Sequence, residues 1–574
     1  MRRRAIVVGF LSCIGVFALH AAEIQVTAAS DVVDGDVSSI AALMARPGSD
    51  GISIREALEA AVGTPGPHVI RFSRALDGQT IPIRQPLLIR GDGVSVQGNL
   101  TSAGQAAVTL DGTAISTPPG SRAVMFVLAS SCRISRLRFT GVSGTAIEVR
   151  AGSWPYPPFA PRAVRDILID ENAFDGSIPG DLPSAVRIWD GRGSTGAVLE
   201  RITVIRNVIR NYADGGVIAG PTGTEGVLRD LVIADNHIYG TQFPLEVANG
   251  IMAARSRIER TRIVGNRIDG GTVPLLIGSL SDVAPIVDNQ MNDTLIARNT
   301  IIGEFGSIDV IGGLSNGSTV RAIGNSVTGV EIVNNVMVSG NPINVLGGRG
   351  GSRGNGVRTV RIVNNTLVSR LHPAVTALAD RDGAEANTVS DVTILNTIAV
   401  RPQGGPHFDI TGEIGSSDVF HTLTTDGTFA GVNGNVQGDP QFESGSYRPG
   451  SASPALNSGR SEGAPPVDIE CRSRDGMPDI GAFERGGPAA MTLTTVVHGP
   501  GTIATIPHGS DCFGGRSYAP GTIVSFSLQI PPGASFVGWS GDEDCADGVV
   551  TMTRDVYCVA VMNRTPGKRR AVRH

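Results

Sequence analysis

At 574 residues the chain could hold several ordinary domains, but 75 glycines with only 5% aromatic residues fit short strands and tight turns better than helix bundles. A formal net charge of −5 excludes the broad basic surface on which nucleic-acid binding depends. Among 48 basic residues only Lys568 is a lysine, so chemistry that needs a lysine in the body of the chain is excluded as well.

Residues 1–22 read as a secretory signal. Met1-Arg2-Arg3-Arg4 is the charged start, Ala5 to Leu19 the apolar stretch and Ala21-Ala22 the small-residue exit. The apolar run is too short to span a bilayer comfortably. The expectation is a secreted or cell-surface protein with no membrane span after cleavage. Further on, Ser53 and Glu56 form a capping box that predicts a helix over about 53–62, followed by a strand at His68–Phe72. A solenoid leaves a pairing-competent end, and such a helix would cap it. Residues 87–149 carry short apolar runs, for example Val94-Ser95-Val96. Ser153 to Phe159 has too many prolines for an interior strand. It is expected to be a loop whose rings, Trp154, Tyr156 and Phe159, could offer platforms for sugar faces.

From about 166 to 400 one phrase recurs: apolar, two residues, Asn, one residue, apolar. Its asparagines are Asn172, Asn207, Asn236, Asn266, Asn299, Asn335, Asn365 and Asn396, at steps of 29 to 36 residues with a mean of 32. Such a period marks a repeat architecture, and Val, Ile and Thr with Gly and Asn punctuation mark strands. In a straight strand the two apolar residues of the phrase would face opposite ways. Both are buried only if the chain turns a corner between them. Asp235, Gly265, Asn334 and Asn364, each just before an Asn, tolerate the left-handed backbone that a corner needs. The asparagines then stack as an inward hydrogen-bonded ladder, a structural role and not a ligand set. The predicted fold is all-β: a right-handed parallel β-helix over 23–487, of the pectate-lyase type.

With the corners fixed, the residues one and three after each Asn face outward. The first four coils thereby present Asp175, Arg210, His237, Tyr239, Arg267 and Asp269 on one sheet, the candidate binding face. Later coils carry Thr and Val there. A second outward column holds Arg187, Glu246, Asp309 and Asn344.

Two motifs close the array: Ser453-Pro454-Ala455-Leu456-Asn457-Ser458-Gly459 and Pro478-Asp479-Ile480-Gly481-Ala482-Phe483-Glu484. Together they resemble the "SPA-D-G … DIGAFE" ending of exported bacterial β-helix proteins. Ile52-Ser53-Ile54-Arg55-Glu56-Ala57-Leu58 resembles the CSLREA start of the same proteins, with Ile52 in place of the Cys. After a linker at 485–488, residues 491–563 resemble a divergent internalin-type B-repeat through Gly499-Pro500-Gly501-Thr502, Gly521-Thr522-Ile523-Val524 and Phe536-Val537-Gly538-Trp539-Ser540-Gly541. That implies a small β-rich appendage of a surface or secreted protein, with Trp539 in its core. Cys512, Cys545 and Cys558 fall within it, and sequence does not choose the pair. Cys132 and Cys471 stand apart, and residues 564–574 form a basic tail.

The expected function is a non-catalytic β-helix that binds a polysaccharide or cell-surface glycan, as a monomer, with no cofactor and no metal. The alternative is a polysaccharide lyase or glycoside hydrolase acting on an acidic polysaccharide. A lyase here would use an Arg base, Arg210 or Arg267, and would call for Ca²⁺ or another cation on the uronate carboxylate. A hydrolase needs two carboxylates roughly 5–10 Å apart. Asp175 and Asp269, three coils apart, would lie about 14 Å apart at the strand spacing.

Overall fold

The corner phrase folds as a repeated single-residue bend. A computed structural model describes residues 22–115, 122–152, 161–176, 183–250, 252–281, 284–315, 321–410 and 418–564. The residue before each ladder Asn has positive φ: Glu171 56°, Arg206 57°, Asp235 50°, Gly265 69°, Arg298 58°, Asn334 53° and Asn364 51°. Only one is glycine, so six side chains occupy a conformation that costs about 1–2 kcal/mol each. The ladder offsets that cost. The backbone N–H and the Nδ2 of Asn172 both donate to Asn207 Oδ1, at 3.0 and 3.1 Å. The same paired bonds continue through Asn236, Asn266, Asn299 and Asn335 to Asn365.

The eighth rung departs from the sequence reading. Strand register sets Arg361 beside Thr393 and Ile362 beside Ile394, which puts Asn396 level with Asn364 and not with Asn365. Asn396 is therefore the left-handed corner itself, at φ 48°. Thr397 takes the ladder place and accepts the Asn365 N–H at 3.4 Å. A second ladder was not foreseen. Ser256, Asn289, Asn325, Asn355 and Asn387 stack at another corner, each Asn accepting the N–H of the residue before it in the row.

Most coils contribute a strand to each of three parallel sheets. Among the described residues sheet A has 13 strands (Val198–Ile205 is typical), sheet B 13 (Val208–Arg210) and sheet C 11 (Gly215–Ala219). The protein is thus an all-β parallel β-helix with a small C-terminal β module. Its interior is a continuous stack of Ile, Val and Leu from Ile24 to Val419. The helical cap consists of α1, Ile40–Ala45, and α2, Ile54–Val62, with the Ser53/Glu56 capping box formed. A strand not read from the sequence, Ala22–Val26, comes before them and pairs with His68–Phe72. The proposed signal ends on the first residue of that strand, and its first 21 residues lie outside the described ones. So does the tail from 565 onward.

Two later segments cover the solenoid. The stretch from Phe442 to Phe483 lies back along sheet B: Ala482 packs with Val336, Val338 and Val368, and Ala455 and Ile480 pack with Ile398, Val400 and Leu423. Buried ionic contacts fix it there. Arg474 pairs with Glu484 at 2.9 Å and donates to Asn334 Oδ1 at 3.0 Å. The Asp479 carboxylate accepts the Asn457 and Arg485 N–H groups at 2.8 and 2.6 Å. The closing motifs are therefore a clamp.

Residues 491–564 form a five-stranded and a three-stranded sheet. Phe526, Phe536 and Trp539 cluster within the module, with Trp539 4.6 Å from Phe526. The module is docked on sheet A, where Tyr557 and Val559 pack on Leu168, Ile205 and Ala234. Phe513 packs against the row Val264, Ala297 and Val333. One disulfide, Cys545–Cys558, lies within it. The other, Cys471–Cys512, ties it to the clamp segment, and Cys132 is a buried free thiol.

Candidate functional site

The clamp and the module between them decide where a ligand can reach the solenoid. The Thr and Val of the later sheet B coils, which look bland in sequence, are the packing surface of the clamp. The first coils of sheet B stay open, and there the phrase places its charged side chains.

Register sets Asp175, Arg210, Tyr239 and Asp269 in one column, and Arg138, Ala173, Val208, His237 and Arg267 in the next. Asp175 is the anionic centre of the first group. Arg210 Nε and Nη2 donate to Asp175 Oδ2 at 3.0 and 2.5 Å. Asn211 donates to Asp175 Oδ1 at 3.2 Å, and Arg138 lies 3.6 Å away. The Asp175 carboxylate, and after it the Tyr239 hydroxyl, raise the Arg210 pKa, so this guanidinium is held protonated. That counts against Arg210 as a base and suits it as a cation. A cleft of about 340 Å³ opens here, lined by Gln105, Arg138, Asp175, Arg206, Arg210 and Tyr239.

Asp269 centres the second group. Its Oδ2 accepts Arg267 Nε at 2.7 Å and lies 3.1 Å from His237 Nε2. A carboxylate only accepts hydrogen bonds, so in the neutral imidazole Nε2 carries the hydrogen and Nδ1 is the acceptor. The His237 and Tyr239 rings lie 4.8 Å apart, tilted by 42°. The two groups thus meet at His237 and Tyr239, on one strand.

Arg138 was missed because the reading began at the first Asn. Its coil repeats the phrase with Leu137 in the Asn place, after the left-handed corner Arg136 at φ 59°. The second column is differently placed. Asp309 is buried, its carboxyl is pushed up by that burial, and it accepts from Asn344 Nδ2 at 2.7 Å. Arg187 pairs with Asp214 at 3.4 Å, and Glu246 follows two coils on. The same sheet C face holds a closed cluster: Glu148 pairs with Arg150, accepts Trp189 Nε1 at 2.6 Å, and Arg150 stacks on Phe126. Trp154, Tyr156 and Phe159 lie outside the described residues. Among the described residues no three His, Cys, Asp or Glu side chains gather as a metal site, and no helix is long and apolar enough to cross a membrane.

No protein-family model matches the chain, and no curated protein matches it. Solved structures that it resembles include the A-module of mannuronan C-5 epimerase AlgE6 from Azotobacter vinelandii. That match has 13% identity and a TM-score of 0.31, covering 68% of this chain and 95% of that one. A PL6-family polysaccharide lyase from Pseudopedobacter saltans matches at 10% identity and TM-score 0.30, over 75% and 96%. The PL6-family alginate lyase AlyGC matches at 14% and 0.34, over 83% and 62%.

Proposed function

We propose that the protein acts on an acidic polysaccharide laid along the open coils of sheet B, by taking the proton beside a uronate carboxylate. The observation that carries this reading is the His237–Asp269 pair, with Nε2 fixed on the carboxylate, Nδ1 left to accept a proton, and Tyr239 alongside. A general base oriented by a third group and set beside a possible acid is the arrangement that proton abstraction requires. Arg210, held protonated, and Arg138 and Arg267 supply positive charge for the uronate carboxylate as negative charge develops on it. Elimination then runs as follows. His237 Nδ1 takes the C5 proton, the C4–O4 bond breaks, C4=C5 forms, and the Tyr239 hydroxyl protonates the departing oxygen. If the proton instead returns to the other face of C5, the outcome is epimerisation without cleavage.

This reading takes up the lyase alternative with His237 as base in place of an arginine. Asp175 and Asp269 each sit among cations on separate coils, an arrangement unlike a hydrolase carboxylate pair. The two disulfides fit an oxidising compartment, as a secreted or surface protein would meet.

The test uses alginate and polygalacturonate, with and without Ca²⁺. Unsaturated product is read by ultraviolet absorbance and C5 proton exchange by NMR in D₂O. His237→Ala should lower either activity by about 10²–10⁴-fold, and Tyr239→Phe should suppress cleavage more than exchange. Full activity in His237→Ala sinks the proposal. Binding with neither exchange nor cleavage returns the protein to a non-catalytic glycan binder.

A further inference from the structure

The seam between the C-terminal module and sheet A encloses a second cavity, of about 370 Å³. Small-molecule sites start at roughly 300 Å³. From the solenoid side it is lined by Asp235, Arg262 and Arg298, and from the module by Thr494, His498 and Phe513. Asp235 is exposed although it lies under the module, because the cavity opens onto it.

The state of its polar groups is informative. Its other charges are already engaged: Asp166 with Arg201 and Asp230 with Arg260, both at 2.6 Å, and Arg298 on the carbonyls of Ile469 and Cys512. Among the described residues, neither the Asp235 carboxylate nor the Arg262 guanidinium has a hydrogen bond or an ion pair at contact distance; Arg298 and Arg206 act on Asp235 only from further off. Charge on the wall balances, with Asp166, Asp230 and Asp235 against Arg201, Arg262 and Arg298. A balanced wall gives a polyanion no net attraction. A planar acceptor and a planar donor with their hydrogen-bonding capacity unused suit paired hydroxyls, and Val264 and Phe513 offer an apolar surface for C–H groups.

We infer that this seam binds a neutral saccharide unit, held by Asp235 and Arg262. Entry runs along sheet A, where a neighbouring cleft lined by Arg260, Leu295 and Arg361 shares Asp230, Val232 and Arg262 with the cavity. The site is separate from the one on sheet B and does not rest on the function proposed there. It exists only while the module is docked, so the module is one wall of a binding site and not an appendage.

Isothermal calorimetry on the full chain tests this with glucose, galactose, mannose, xylose, N-acetylglucosamine and, as the charged comparison, glucuronate. At least one neutral sugar should bind at one site per chain. Arg262→Gln and Asp235→Asn should each weaken it tenfold or more, with melting temperatures kept near wild type. Asn is chosen because it tolerates the left-handed backbone at 235. A change at His237, in the other site, should leave this affinity alone. Heat from none of the neutral sugars, tighter binding of glucuronate, or wild-type affinity in both variants overturns the inference.

Discussion

Asp170 shows how much one buried carboxylate can hold. It is fully buried with Arg133, paired with it at 2.9 and 2.5 Å, and accepts the Tyr557 hydroxyl of the module at 3.2 Å. Arg133 also donates to Ser540 Oγ at 2.5 Å. The pair is worth little against an apolar replacement, but breaking it strands a buried charge. Asp170→Asn should therefore cost about 3–5 kcal/mol. Tyr557→Phe, which removes one hydrogen bond, should cost about 1 kcal/mol. Urea unfolding of both variants measures the difference, and equal losses would contradict it. At this scale the sequence was only partly legible. Gly265, Asn334 and Asn364 announce a left-handed corner by residue type, whereas Glu171, Arg206 and Arg298 do not and are held there by the ladder around them.

The module behaves as an element of the solenoid, and His498 reports on the join. Burial first, and then the charge of Arg133, lower its pKa to about 4. The unfolded chain takes up this proton near the ordinary value of 6.5, and the folded protein takes it up only near 4. Stability from this group is therefore constant above about 6.5, falls as pH drops from there to about 4, and is flat below. The size is on the order of 3 kcal/mol. The carboxyls of Asp309, Asp468 and Asp479, pushed up by burial, act with the opposite sign. The informative measurement is thus a comparison: thermal unfolding against pH, wild type beside His498→Gln. The variant should lose the slope between 6.5 and 4, and an unchanged slope would show that another group sets it. The docking itself left no periodic trace in the sequence. It joins Tyr557 to Asp170 across 387 residues, and a reading built on a 32-residue repeat has no means to see such a contact.

Over the whole molecule, sheets A and B of the solenoid have different fates. The row of sheet A from Leu168 to Val333 is covered by the module, the far half of sheet B by the clamp, and the near half of sheet B stays open. The repeat length, seven of the eight coil corners and the outward column on sheet B were legible because each coil meets only its neighbours. The allocation of faces was not, since it depends on segments that follow the array. A chain ending at residue 487 should therefore expose the row Ile205, Ala234, Val264, Ala297 and Val333 together with the Arg133–Asp170 pair. Size-exclusion chromatography should find it associated or precipitated where the full chain is not. A well-behaved truncated monomer would show the module to be dispensable for the scaffold.

The Cys471–Cys512 bond has a further consequence, in time. A ribosome makes this chain from its N-terminus, so the coils exist before either of the segments that cover them. Until the last strand of the module, with Tyr557 and Val559, has been made, the row Leu168, Ile205 and Ala234 of sheet A is bare on a folded body, in the state where multi-step folding is most prone to association. The bond joins Cys471 of the clamp to Cys512 in the first part of the module. Both segments belong to one chain, and the bond closes a loop with a sequence separation of 41 between them. The start of the module is thus held against the clamp while its last strand has still to dock on sheet A.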